Sequence, residues 1–162
     1  MTREQRAALI RRYADGPAMF EAALKSVPDA ALQWRPASGK WTVHEIIVHC
    51  ADSETNAHMR LRYLTAVPDP LVLGYDQDRW AIDLAYHDHP IEPALATIRA
   101  VRANTVPLLE RLTETQWHKA GRHTEHASPY GVEQWLEIYA EHLEVHSRQV
   151  ARNVEAWSRR GG

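Results

Sequence analysis

From Val132 to Trp157 the chain carries a helical pattern that no proline or glycine interrupts. Its apolar stripe reads Trp135, Ile138, Tyr139, Leu143, Val145 or His146, Val150, Val154 and Trp157, the spacing of one helix face. Three other helical segments precede it, and a period-2 alternation persists nowhere, so the sequence predicts an all-α protein without a sheet. The first segment runs from about Arg3 to Lys25. Asp15-Gly16-Pro17 falls in its middle, where a kink or a restart is expected, because proline disfavours a helix interior and suits a first turn. The second starts after Thr42, with Glu45 completing a capping box, and runs to about Ala66, ahead of Pro68 and Pro70. The third spans roughly Glu92 to Leu112, started by Pro93 and with Pro107 as a candidate bend. The fourth begins near Gly131.

The connection from Val67 to Ile91 is far longer than the ~2–8 residues that join neighbouring bundle helices. Such a connection can cross the length of a bundle, which lets the second and third helices run parallel. Its Tyr75, Asp76 and Trp80 suggest that it packs on the bundle, over the mouth of a pocket.

At 162 residues the sequence reads as one domain, 1–162. A net charge of −2, with the basic residues scattered, argues against a nucleic-acid partner held through phosphates. A single cysteine, Cys50, excludes an intrachain disulfide and any CxxC metal site. No apolar stretch approaches the ~18 residues of a membrane span, and the N-terminus shows no secretory pattern. The expectation is a soluble, cytoplasmic protein acting on a small molecule, with no membrane partner.

The candidate chemistry lies in the histidines. His142 and His146 are four residues apart in the fourth helix, which puts them on one face with Cβ atoms roughly 6 Å apart. His49 follows helical spacing with Ile46, Ser53 and Asn56 in the second helix and also points inward. Three converging imidazoles would form a metal site, because neutral imidazole is a common ligand of zinc and nickel-like ions. The alternative is three core histidines satisfied by hydrogen bonds, and spacing leaves both readings open. The other histidines look weaker. His44, His58, His87, His89 and His118 are expected at the surface, and His123 and His126 in a loop before the fourth helix. Cys50, about 100° around the helix from His49, reads as a small buried apolar residue. Trp34, Trp41, Trp80, Trp117 and Trp135 read as packing rather than as a platform for bases. No GxSxG, Walker loop or GxGxxG is present.

The stretch from Gly39 to Asp52 (GKWTVHEIIVHCAD) resembles the second-helix signature of the DinB/YfiT-like superfamily of four-helix-bundle metal proteins. Tyr75-Asp-Gln-Asp-Arg-Trp80 is similar to the Tyr-Asp-x-x-x-Trp loop of its YfiT branch. Gln116-Trp117, His123 and the run from Tyr139 to His146 are similar to that branch's C-terminal half. The resemblance covers about residues 17 to 157, with Cys50 standing where leucine is usual. It implies an up-down-down-up bundle, a metal triad on His49, His142 and His146, and one divalent ion per chain, zinc or nickel. It also implies a homodimer, for which Leu71, Val72 and Leu73 are spare apolar residues.

Three functions fit these features. The first is transfer of a low-molecular-weight thiol, bacillithiol- or mycothiol-like, to an electrophile, the thiol being activated at the metal. The second is hydrolysis by a water activated there, with Asp52 or Glu45 as base and Asp52 alternatively as a second-shell partner of a ligand. The third is a metal-stabilised binding protein without catalysis.

Overall fold

The computed structural model describes residues 1–160, apart from the side chains of His126 and Ser128. Four long helices, α1 (Arg3–Leu24), α2 (Val43–Ala66), α4 (Ile91–Glu110) and α6 (Val132–Arg159), form the bundle. Two short ones, α3 (Gln77–Asp83) and α5 (Glu114–Trp117), lie in the connections. The start of α2 is the expected one: the Thr42 hydroxyl accepts from the Glu45 N–H, and the Glu45 side chain accepts from the Thr42 N–H. That reciprocal pair satisfies two of the amides that a helix start leaves without partners.

The hydrogen bonds between helices give their directions. Arg6 and Arg12 of α1 reach Glu133 and Glu144 of α6, so α1 and α6 run the same way. Glu54 and His58 of α2 meet Arg102 and Thr105 of α4, so this pair is parallel too, as the long connection allows. Ala57 and Glu54 meet Trp135 and His142, in the opposite order, so α2 and α6 are antiparallel. Tyr13 and Glu21 likewise meet Arg102 and Arg99, which makes α1 and α4 antiparallel. The bundle is up-down-down-up.

The core falls into two apolar clusters, one around Tyr13, Leu61, Leu64 and Trp135, the other around Phe20, Ile46, Ile47, Ile98 and Leu143. Glu54 on α2 and Arg102 on α4 lie in sequence between the residues their helices give to each cluster, and both are buried. A polar layer therefore cuts across the bundle at mid-height.

That layer explains why the helix does not restart at Asp15-Gly16-Pro17. The helix α1 passes through Pro17 without a break. Pro17 has no N–H to give the Tyr13 carbonyl, and Arg102 Nη1 donates to that carbonyl at 2.5 Å instead. Gly16 leaves the room, since a Cβ there would lie 2.2 Å from Arg102 Nη1. The tripeptide that reads as a helix breaker is the seat of a buried guanidinium.

A second expectation is overturned outright. The chain has a sheet: β1 (Leu71–Val72), β2 (Ala120–His123) and β3 (His126–Gly131) pair in the order β1-β2-β3. The β1–β2 pairing is parallel and the β2–β3 pairing antiparallel. β1 is too short and β2 and β3 too poor in apolar residues to carry a period-2 signal; β2 and β3 form a local hairpin, and the β1–β2 pairing joins the long connection to the segment before α6. Gly121 admits the close approach, since a Cβ on it would meet the Pro70 carbonyl oxygen at 2.4 Å. Pro129 sits in β3, at the sheet edge, where a missing donor is tolerated. The sheet is an addition at one side of an otherwise helical bundle. No helix among the described residues is long and apolar enough to cross a membrane.

Candidate metal centre

His142 joins the polar layer through Glu54, and the other two histidines lie beside it. His49, on α2, is 1% exposed, and His142 and His146, on α6, face it across the antiparallel pair. Ring centroids lie 5.8 Å (His49–His142), 4.8 Å (His49–His146) and 4.7 Å (His142–His146) apart. One nitrogen from each ring falls within 4.8 Å of the other two. Ligand atoms around a tetrahedral zinc ion with bonds of about 2.0–2.1 Å are roughly 3.3 Å apart, which small side-chain rotations would reach.

The hydrogen bonds of the rings suit ligation. His142 Nδ1 lies 3.0 Å from Glu54 Oε1, and His146 Nδ1 lies 2.9 Å from Gln149 Oε1. Both acceptors call for a proton on Nδ1, which leaves the Nε2 lone pair of each neutral ring free for a cation. His49 packs against Trp41 at 4.5 Å, and its Nδ1 is buried with no hydrogen-bond partner. An orphaned polar atom in a closed site is costly unless something binds the ring. The donor set fits a divalent cation of borderline softness.

Burial, and then the charge of neighbouring imidazoles, hold His49 down to about 2 and His146 down to about 4. Unfolded, the same rings take a proton near pH 6.5. Folding therefore keeps neutral two groups that the unfolded chain protonates. Their stabilisation is complete above about pH 6.5 and is lost as pH falls, by about 1.4 kcal/mol per pH unit per ring. For both rings the loss runs down to about pH 4, and for His49 it continues toward 2. The metal-free protein is expected to show a lower urea midpoint at pH 5 than at pH 7.5, with a shallower drop in His146→Gln. A midpoint unchanged over that interval would contradict the burial of neutral rings.

Behind His142 stands a chain that the sequence reading missed. Glu54 is held by Arg102 through Nε at 3.0 Å and Nη2 at 2.6 Å, and both side chains are essentially sealed from solvent. Arg102 also donates to the Tyr139 carbonyl and lies 4.1 Å over the Tyr13 ring. The arginine holds the Glu54 carboxyl below its ordinary range in spite of burial. It is thus a fixed anion that orients the His142 ring. A signal for this pair was present in the sequence. Ile98, Arg102, Thr105 and Leu109 share the inward phase of α4, and an arginine among them requires a buried partner.

Asp52, expected as base or as a group orienting a ligand, accepts instead from the Tyr86 hydroxyl at 2.5 Å. Glu45, the other expected base, caps α2 and pairs with Arg35. His44, expected at the surface, is buried, its Nε2 2.8 Å from the His89 carbonyl. His58 is half-buried against Thr105, and His87 lies 2.9 Å from the Thr42 hydroxyl. His89 and His118 are exposed as expected. His123 is a buried strand residue whose Nδ1 accepts from the Glu125 N–H. His126 lies in β3, and its side chain is outside the described residues. Cys50 is buried as expected. On α6, Val145 and Ile138 are exposed while His146 turns inward.

The three rings open on a cavity of about 230 Å³. Its other walls include Arg60, Gln77, His123, Glu125 and Tyr139. Gln77 opens α3 in the long connection, and Glu125 lies between β2 and β3. The connection thus closes one side of the site, as Tyr75, Asp76 and Trp80 suggested, with the Tyr75 and Trp80 rings in tilted contact at 4.4 Å. The unforeseen sheet closes another.

The family profile described as the DinB superfamily matches residues 12–150. The chain belongs to the DinB superfamily. A relative from Oceanobacillus iheyensis, named provisionally as a metal-dependent hydrolase, is 31% identical over 137 residues, covering 85% of this chain and 78% of its own. One from Bacillus pumilus, named in the same provisional terms, is 33% identical over 128 residues, covering 76% and 73%. Among solved structures, YfiT from Bacillus subtilis matches with a TM-score of 0.90 at 22% identity, covering 98% of this chain and 90% of its own. It is described as having an unusual four-helix bundle topology, and this chain shares that DinB fold. The three-stranded sheet and the family match stand together.

Proposed function

We propose that this chain is a cytoplasmic metal-dependent enzyme that transfers a small thiol to an electrophile, with His49, His142 and His146 holding one zinc or nickel ion. The observation that carries the reading is the convergence of three imidazoles on the wall of a cavity. A divalent cation there would favour the thiolate over the thiol near neutral pH. Among the described residues no cysteine thiol lines the cavity. Cys50 is fully buried in the core, and burial pushes its thiol well above its ordinary range. The sulfur must come from a cosubstrate. In the transfer the thiol loses its proton, a sulfur–carbon bond forms, and the bond to the leaving group breaks with its electron pair. Glu125, on the cavity wall, is placed to take the proton.

Hydrolysis is the second reading, and a specific observation favours it as well: Glu125 gives the cavity the carboxylate base that Asp52 does not. The deciding experiment combines elemental analysis of purified protein with turnover of an activated aryl chloride and of an aryl ester. About one equivalent of metal and aryl chloride turnover only with added thiol support transfer. Ester cleavage without thiol, lost in Glu125→Gln, assigns hydrolysis. Metal-loaded protein inactive in both assays, across a panel of thiols, would leave the non-enzymatic reading.

The homodimer belongs to the same proposal. Leu73 is 63% exposed, and Leu71, Met59 and Tyr63 are exposed beside it. Val72 is not spare, because it is 1% exposed and packs into the core. Light scattering is expected to give about twice the 18.5 kDa chain mass, and Leu73→Glu to halve it. A monomeric mass at tens of micromolar would refute the dimer.

A further inference from the structure

Arg60 is the one arginine on the wall of the histidine cavity. It is held in place on three sides: Nη1 donates to the Tyr139 hydroxyl at 3.0 Å, Nη2 donates to the Leu73 carbonyl at 2.5 Å, and the guanidinium carbon lies 5.8 Å from the Tyr75 ring centroid. All three contacts are with neutral groups. Among the described residues no carboxylate lies within ion-pair distance of it, whereas Arg6, Arg12, Arg35, Arg99 and Arg102 each have one. Its Nε is buried without any partner. A guanidinium has five N–H donors, so two are committed and three are not.

This arrangement is unfavourable by itself. A half-buried cation with spare donors shares its cavity with three imidazoles arranged for a second cation, and Glu125 is the one carboxylate on the wall among the described residues. Two like charges sharing a small cavity repel, and water cannot reach the Nε to compensate. A carboxylate between them removes both penalties, because the planar fork of arginine matches it in two hydrogen bonds. Glu125, the acidic residue on the same wall, forms no ion pair with Arg60, so the guanidinium fork stays open to a ligand carboxylate.

We infer that Arg60 is an anion-recognition residue of this cavity, and that the small molecule bound beside the three histidines carries a carboxylate. The inference rests on the reading of the cavity as a ligand site and adds the substrate class. It distinguishes a carboxylate-bearing thiol from a neutral one of similar size. The tyrosine and backbone contacts hold the guanidinium before the ligand arrives, so little side-chain freedom is lost on binding.

Calorimetric titration of succinate into the metal-free and zinc-loaded protein tests it, with succinamide as the neutral control. Wild type is expected to bind succinate in both forms at least tenfold more tightly than it binds succinamide. Arg60→Gln should abolish the difference and Arg60→Lys restore part of it. Circular dichroism of each variant shows whether the helices persist. Should Arg60→Gln unfold, Arg60→Lys alone decides, since a lost fork must weaken succinate in a folded protein. Binding only to the zinc-loaded form, equal in wild type and in the folded arginine variants, would mean that the carboxylate meets the metal alone and would overturn the proposal. So would equal affinity for succinate and succinamide. A protein that fails to take up zinc but still binds succinate through Arg60 would sink the metal reading and leave this one standing.

Discussion

Glu54→Ala is expected to unfold the protein or to lower its stability by about 3–5 kcal/mol, the largest single-residue effect in this chain. The substitution leaves the Arg102 guanidinium buried in mid-bundle with only the Tyr13 and Tyr139 carbonyls and the Tyr13 ring around it. A buried ion pair adds little over a well-packed apolar pair, but removing one partner strands an uncompensated charge. Arg102→Ala should cost a similar amount, because it strands the carboxylate and also frees the Tyr13 carbonyl that Pro17 cannot serve. Glu54→Gln separates orientation from stability. It keeps the shape and an oxygen acceptor for His142 but loses the charge facing Arg102. A folded Glu54→Gln should bind zinc about 10–100-fold more weakly, the usual effect of losing a partner that orients a metal-ligating ring. Urea denaturation and competition against a chelator read the two effects. Wild-type stability in Glu54→Ala would show that solvent reaches Arg102 and that the polar layer is not sealed.

His146→Ala should strip the ion and abolish activity while the helices persist. Of the three rings it is the cleanest to remove. Its one hydrogen bond goes to Gln149, whereas His142 also steadies Glu54 and His49 packs on Trp41. Two imidazoles cannot complete the three-ligand set of a catalytic zinc site, so occupancy should fall from about one equivalent to under a tenth. The fold should survive because bundle stability comes mainly from apolar packing, here the two clusters above and below the layer. His118→Ala, at an exposed ring, is the control expected to change neither metal content nor activity. His58→Ala is a poorer control, since its ring bonds Thr105 and its loss tests packing. Full occupancy in His146→Ala, by elemental analysis, would remove the three-histidine site and the enzyme reading with it.

The residues that local rules govern were legible in the sequence. The capping box at Thr42 and Glu45, the proline stop after Ala66 and the unbroken pattern of α6 each depend on neighbours within about four positions. The placement of His49, His142 and His146 on inward faces follows from the same helical period. Their meeting does not, because it needs α2 and α6 to cross at one height. What the period could not show is the chemistry that crosses between helices. Gly16-Pro17 reads as a break until Arg102, from another helix, takes the orphaned Tyr13 carbonyl. Glu54 looks like one acidic residue among several until Arg102 neutralises it and His142 bonds it. The strand Leu71–Val72 is too short for a pattern and exists only through its distant partner Ala120–His123, while the hairpin of Ala120–His123 and His126–Gly131 has too few apolar residues to announce itself. Local hydrogen bonding and periodicity thus determined the helices and which faces turn inward. Long-range pairing decided which helix continues through its proline, which carboxylate orients the site and what closes the cavity.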